Sequence, residues 1–525
     1  MGRYKRLKAR ANLLSHDAKL VKIKTEHNNS GAIKVGVFAF LVALQLAIAL
    51  TLYYTVAMAF QWYFLIATAL SLITCLYVLA SDKSGHSKAV WIIFLLVGSS
   101  VSFIFYILSE EKLLFAKHRR RFKAVFTETE QYKPQSVDYS SAKTEVKNDI
   151  NYLTESGKFP VFNNTDVKYY PSGASFFDDV LEDLKTAQKF VFMEFFIIAD
   201  GVLLNRTLDI LAQKVAGGVD VRLIYDDVGS RALPRKTKKR IKNLGIKLIP
   251  FNRLIPRFNV ALNYRDHRKI IVIDGKTAYT GGVNLADEYV NEKRMYGYWK
   301  DNGVRLRGAA VDGICHIFLR QWQFLTKKQE DFTPYLNNFE KVENFSFVVP
   351  YGDGIDYPPP IGRNVYVNLI SSAKEKLYIM TPYFVVDDAI TTLLSAKASS
   401  GVDVRLLIPE VADKPYVYRV SRNNAEKLIE SGVKVYCMKR SFVHAKTVYT
   451  ENAVSVGSIN MDYRSFYQQF EISVYTDDKT VMQAVEEDFL QIFNEGGLIE
   501  DDKILRKSLI NRLASGLLQF FAPLM

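Results

Sequence analysis

Between Lys34 and Asp82 the chain carries no charged side chain. At about 20 residues per crossing, that run predicts two membrane helices, 35–57 and 61–80, turning near Gln61, Trp62 and Tyr63. A third uncharged stretch, Ala89 to Leu108, is again long enough to span. A cleavable signal would be one shorter apolar stretch followed by small residues, so the pattern reads as anchors; the alternative is a very apolar helical hairpin buried in a soluble protein. Beyond about residue 150, short β-branched apolar runs alternate with helix-like segments, the pattern of α/β units. At the far end Leu505, Leu509, Leu513, Leu517 and Phe521 recur every four residues among Lys503, Arg506, Lys507 and Arg512, which predicts an amphipathic helix lying at a membrane surface.

The α/β region repeats itself. Gly218-Val219-Asp220-Val221-Arg222-Leu223 recurs as Gly401-Val402-Asp403-Val404-Arg405-Leu406, each time after a helix-like stretch and at the start of an expected strand. Lys189 to Met193 matches Lys376 to Met380, Leu244 to Lys247 matches Ser431 to Lys434, and Gly281 to Asn284 matches Gly457 to Asn460, all in the same order. Two copies are too few for a solenoid, so the expected architecture is a pseudo-twofold pair of α/β domains with the functional site between them. The implied organisation is a basic tail (1–33), a membrane anchor (34–108), a basic linker (109–150), a first domain (151–335), a second domain (336–500) and the amphipathic segment 501–525.

Composition narrows the partners. The 525 residues exceed one ordinary core, and 49% hydrophobic with 24% charged residues is a folded composition. A net charge of +14 points to an anionic substrate or surface: nucleic acid, acidic lipid or a phosphate ester. The three cysteines, Cys75, Cys315 and Cys437, form no CxxC pair, so neither a disulfide framework nor a cysteine-rich zinc site is expected. Basic residues flank the anchor on both sides, nine Lys/Arg in Met1–Lys34 and six more from Lys112 to Lys123. Three full crossings would put these flanks on opposite sides. With one segment re-entrant both face the cytoplasm, near anionic headgroups, and a cytoplasm-facing catalytic region is the expectation.

At corresponding places in the repeat stand His267-Arg268-Lys269 and His444-Ala445-Lys446. On a strand, HxK puts His and Lys on one face, so both can reach one phosphate. An imidazole can attack phosphorus, a second can protonate the departing alkoxide, and lysines neutralise the charge on the phosphoryl oxygens. Each copy is followed by a Gly-[Gly/Ser]-x-Asn turn, whose amides at Gly282 and Ser458 and side chains at Asn284 and Asn460 are candidates to hold phosphate oxygens. One HxK alone would be an unremarkable strand; duplication inside a repeat makes it a candidate site. Each histidine also needs a partner on its other ring nitrogen, and Asp301 and Glu471, at equivalent-looking strand starts, are the candidates.

HxKxxxxD with a downstream GxxN, twice, resembles the phospholipase D superfamily. Asn263 to Lys269, Gly281 to Tyr289, Thr381-Pro382-Tyr383-Phe384, Ser421-Arg422 and Asn460 to Ser465 are similar to the motifs of bacterial cardiolipin synthases. The resemblance covers essentially the whole region after the anchor. It implies two phospholipase D-like domains and a transfer, without metal or cofactor, in which two phosphatidylglycerol molecules give cardiolipin and glycerol. It further implies a catalytic set of His267, Lys269, Asp274, His444, Lys446 and Glu451, with His267 as nucleophile because only the first copy keeps His-Lys-Asp. The partners implied are phosphatidylglycerol and an anionic membrane surface. A nuclease would share the chemistry but gain little from three apolar segments. A phospholipase or phosphatidylserine-making enzyme would use the same residues with a different acceptor. The second copy departs from the pattern: Glu451 replaces Asp, Gln469 stands where the family usually has Asn, and Lys to Asn spans 14 positions (446 to 460) instead of 15 (269 to 284).

Overall fold

The β-branched runs fold into two sheets of the same design. The structure is a computed structural model that describes residues 40–53, 61–81, 85–109, 116–253, 264–354, 357, 360–499 and 518; the expected basic tail and nearly all of the expected amphipathic segment 501–525 lie outside the described residues. The first sheet runs, edge to edge, Thr165–Tyr170, Gly303–Gly308, Thr277–Gly281, Lys269–Ile273, Phe190–Phe195, Asp220–Asp226 and Lys247–Phe251. The second repeats that order with Val348–Asp353, Gln469–Thr476, Val454–Gly457, Thr447–Thr450, Lys376–Met380, Asp403–Pro409 and Lys434–Met438, then adds Gly497–Leu498 at its edge. In each, three strands pair in parallel, and the strand after the HxK histidine runs antiparallel to the first of them.

Parallel strands need crossover connections, and helices Val202–Ala216 and Arg235–Asn243 supply them in the first copy. The central strand Phe190–Phe195 is buried at every position, which accounts for its continuous apolar run. Gly218 and Gly401 close the matching helices at φ +87° and +93°, a left-handed conformation that explains why the repeated hexapeptide begins with glycine.

The two repeat copies are not separate globules. Helix Val311–Thr326 is buried from Val311 to Phe324. Its Phe318 stacks on Phe192 of the first sheet at 4.8 Å, and Gly313 lies against Pro350 of the second. One apolar core therefore runs through Val272, Ile314, Phe318, Tyr351, Ile379 and Val448. Each fully buried aliphatic or aromatic side chain there contributes about 1.5–3 kcal/mol, so the junction of the two copies is itself packed core. The stretch expected as a basic linker joins this unit from residue 116 on: helix Ala116–Thr129 buries Phe122 and Val125, and Phe122 stacks on Phe324 at 3.5 Å.

The N-terminal unit contains a helix over Phe40–Tyr53 and two more, Gln61–Ala80 and Gly85–Ser109. Among the described residues one helix, Trp62–Ala80, is long and apolar enough to cross a membrane. The third segment begins four residues before the expected Ala89, because Gly85, Ser87 and Lys88 join the helix and Lys88 Nζ donates to Leu79 O at 2.9 Å. Cys75, Val78, Leu95 and Tyr106 pack together, while Trp62, Leu65, Ile73 and Leu76 face outward.

Candidate active site

The strand pattern delivers both histidines to the junction of the two copies. The peptide of His267 is carried by the short strand Arg265–Asp266, which pairs in parallel with Gln469–Phe470 of the other copy; His267 N donates to Phe470 O at 2.8 Å. The mirror arrangement pairs Ser441–Val443 with Tyr298–Lys300, and His444 N donates to Lys300 O at 2.7 Å. Each histidine is therefore laid beside the residue that precedes the other copy's candidate carboxylate.

The side chains follow the backbone. His267 Nδ1 lies 3.0 Å from both Glu471 oxygens, and His444 Nδ1 lies 2.7 Å from Asp301 Oδ2. Both carboxylates are fully buried. A carboxylate on Nδ1 fixes the tautomer and leaves Nε2 to do chemistry. Burial alone would raise Asp301, but His444 and Lys446 overcome it and hold the acid below the usual carboxylate range. Glu471 is pushed up to about 7 by burial, against the opposing pull of Lys269 and the Ser458 hydroxyl. Burial and the adjacent Lys446 ammonium bring His444 down to about 3, so its imidazole is neutral.

Lys269 and Lys446 are buried beside these pairs. Lys269 Nζ donates to His267 O, and Lys446 Nζ to His444 O. Burial lowers Lys269 to about 7, with Lys446 adding to the effect and Glu471 opposing it. Lys446 falls to about 8 for the same reason, opposed by Asp301 and Glu471. The two lysines act on each other and on both carboxylates as one buried, coupled charge cluster. A phosphodiester placed against the lysines would hold their protons on.

The amides meet part of the expectation. Asn284 Oδ1 accepts from Ile197 N at 2.9 Å, and its Nδ2 is buried with no hydrogen-bond partner of good geometry among the described residues; Asn460 Oδ1 is likewise buried with none among them. Polar atoms left unpaired in a closed interior carry a free-energy penalty that a bound polar group removes. The backbone amides of Gly282 and Ser458, expected to hold phosphate, are already used: they donate to Asn302 O at 3.0 Å and Ile472 O at 2.8 Å. These two residues shape the carboxylates instead. A Cβ at 282 would overlap Asp301 Oδ1, whereas Ser458 Oγ donates to Glu471 Oε2 at 2.5 Å.

Asp274 and Glu451 do not join the site. Five residues of strand beyond Lys269 put Asp274 about 15 Å away along the chain, where it caps the start of the neighbouring strand. Its oxygens accept from Gln188 N at 2.7 Å, Lys189 N at 2.7 Å and Phe190 N at 2.8 Å. Glu451 makes the same cap on Lys374 N at 2.8 Å, Glu375 N at 3.4 Å and Lys376 N at 3.1 Å. The one-residue difference in turn length falls in this hairpin, where Asp274 (φ +53°) and Gly275 (φ +67°) occupy left-handed positions. Because Glu451 makes the same backbone cap as Asp274, the replacement gives no ground for choosing His267 over His444 as nucleophile.

Two supports had no sequence signal. Asp226 Oδ2 accepts from Asp266 N at 3.1 Å, and its Oδ1 accepts from Val228 N and Gly229 N at 2.9 Å, holding the chain just before His267. Lys300 Nζ is paired at 2.7 Å with Asp488, which also accepts from the Tyr169 hydroxyl at 2.6 Å. That pins the strand carrying Asp301. Single buried partners of this kind leave no local periodicity to read.

Comparison with known proteins agrees with the geometry. Residues 180–296 and 366–493 match the family described as cardiolipin synthase, PLD-like domain. An uncharacterized protein of Streptococcus mutans is 35% identical over 86% of this chain and 99% of its own length. Cardiolipin synthase 2 of Bacillus anthracis is 33% identical over 70% of this chain and 72% of the relative; a cardiolipin synthase of Halalkalibacterium halodurans is 30% identical over 83% and 88%. The crystal structure of phosphatidylserine synthase from Haemophilus influenzae Rd KW20 superposes with a TM-score of 0.55 at 15% identity, covering 73% of this chain and 98% of that one, a likeness of fold. With its paired HxK motifs at one junction and relatives of this identity along most of its length, the chain belongs to the cardiolipin synthase family of phospholipase D-like enzymes.

Proposed function

We propose that the protein is a membrane phosphatidyltransferase that converts two phosphatidylglycerol molecules into cardiolipin and glycerol through a phosphohistidine. The observation that carries this reading is the crossed pair of histidine–carboxylate contacts around two lysines. His267 Nε2 attacks the phosphorus of the first lipid, and the bond to the headgroup glycerol breaks. The leaving alkoxide takes a proton from His444. The free hydroxyl of a second phosphatidylglycerol then gives its proton to His444 and attacks phosphorus, and the bond to His267 breaks. Asp301 stays ionised and so stabilises the His444 imidazolium, while Glu471, with its raised affinity for protons, offers less to a cation at His267. That difference favours His267 as the attacking base. The substrate's own negative charge offsets the burial and the Lys446 repulsion that otherwise keep His444 neutral. Lys269, Lys446 and the side-chain amide nitrogens of Asn284 and Asn460 hold the phosphate oxygens, and the Asn460 oxygen is left to accept from a substrate hydroxyl.

The outward-facing apolar residues of Gln61–Ala80 and Gly85–Ser109 support a multi-pass anchor in the cell membrane, with the catalytic unit on the cytoplasmic side. A different acceptor, water or another alcohol, would use the same residues. Thin-layer analysis of lipids after incubating the purified full chain with phosphatidylglycerol, with and without added alcohols, tests the assignment. Cardiolipin and free glycerol are expected; phosphatidic acid alone would make the enzyme a hydrolase.

A further inference from the structure

We infer that helix Arg235–Asn243, on the rim of the first half-site, is a docking surface for the anionic headgroups of the bilayer. Of its nine residues six are Lys or Arg and none is acidic. Thr237 and Ile241, one turn apart, are its buried face. Lys238 is paired with Asp227 at 3.2 Å and Arg240 with Asp209 at 3.6 Å. Arg235, Lys236, Lys239 and Lys242 are exposed and have no partner among the described residues.

The fold does not require this composition. The helix at the same place in the second copy, Pro415–Ile429, has three Lys or Arg and a Glu in its 15 residues. Nor does helix stability favour it. Arg235 with Lys239, and Lys236 with Arg240, are like charges at i,i+4, and cations near a helix N-terminus oppose its dipole. A negative surface offsets both penalties.

Position connects the helix to the chemistry. Strand Asp220–Asp226 ends at Asp226, whose carboxylate holds the amide next to His267. The chain stays at that end through Ser230, whose hydroxyl bonds Ile198 N at 2.9 Å and Phe196 O at 3.1 Å; the Phe196 ring is 5.0 Å from that of His267. The helix starts there, with Thr237 bonded to Asp200 at 3.1 Å. Headgroups attracted to Arg235 and Lys236 therefore gather beside the catalytic junction. The inference rests on the proposed function only for the identity of the surface, since phosphatidylglycerol and cardiolipin are both anionic.

The test compares the full chain with a variant carrying Arg235→Gln, Lys236→Gln, Lys239→Gln and Lys242→Gln, reconstituted in phosphatidylcholine vesicles containing phosphatidylglycerol. Turnover in vesicles should fall about tenfold or more, and the parent's loss of rate with added salt should disappear in the variant. Turnover of monomeric short-chain phosphatidylglycerol should stay within about twofold, which shows that the site is folded. A matched variant with Lys158→Gln, Lys328→Gln, Lys341→Gln and Lys479→Gln, all exposed elsewhere, should behave as the parent. Equal losses in the two variants would reduce the effect to net charge and overturn the proposal, as would unchanged turnover in vesicles. Lipid contact is also read without catalysis. The three native cysteines are buried, so a polarity-sensitive dye on Lys239→Cys should shift when phosphatidylglycerol is added to phosphatidylcholine vesicles. An inactive parent whose dye still shifts would defeat the enzyme assignment and leave the docking surface standing; a dye that never shifts would defeat the docking surface.

Discussion

His267 Nδ1 lies 3.0 Å from both carboxylate oxygens of Glu471, a residue 204 positions later in the other repeat copy. The reciprocal contact joins His444 to Asp301 across 143 positions. Neither copy holds a complete histidine–carboxylate pair of its own. Each supplies a histidine that the other orients, so the continuous core around helix Val311–Thr326 is also what aligns the chemistry.

Replacing Asp301 with Asn or Glu471 with Gln removes the anionic acceptor on Nδ1 while nearly preserving shape. Turnover should fall about 10²–10⁴-fold for either change. Steady-state kinetics on phosphatidylglycerol would check this, with KM moving much less than kcat. A loss confined to KM would mean that the carboxylates act on substrate binding and not on the imidazoles.

Asp274→Ala should act on stability. It removes the acceptor of three backbone hydrogen bonds, and the expected cost is about 2–4 kcal/mol. Thermal denaturation of the full chain in detergent should show a lowered midpoint, while kcat measured well below that midpoint stays near the parent value. A collapse of kcat with an unchanged midpoint would return Asp274 to the catalytic set.

The lysines set the alkaline limb. Under the proposed mechanism ammonium groups receive the phosphate, and these lose their protons as pH rises through about 7 for Lys269 and about 8 for Lys446. The pH profile of kcat/KM, which reports the free enzyme, should fall between about pH 7 and 9. In kcat the limb should move upward, because bound phosphate holds the protons on. A limb near 10, as for an ordinary lysine, would contradict the burial of these side chains in the working enzyme.

Much of this site is legible in the residue pattern. The hexapeptide repeated at 218 and 401 marks equivalent strand starts, so the two HxK segments, the asparagines and the carboxylates fall into register in the sequence alone. What is lost is everything that depends on pairing between distant strands. Which acid serves which histidine follows from Arg265 lying beside Gln469 and Ser441 beside Tyr298, a registration that no local spacing encodes. The motif also groups Asp274 with His267 in sequence, although five residues of extended chain separate them in space. Gly282 and Ser458 look like phosphate-binding turn residues until the sheet claims their amides.

The central claim is that phosphatidyl transfer passes through one of the two histidines, and mass spectrometry of protein quenched during turnover of phosphatidylglycerol tests it most directly. The expected result is a phosphatidyl adduct mapped to His267, absent from His267→Ala and accumulating in His444→Asn when the substrate has a good leaving group. An adduct on His444 would reverse the two roles; no adduct on either, or full activity in either single variant, would contradict the paired mechanism.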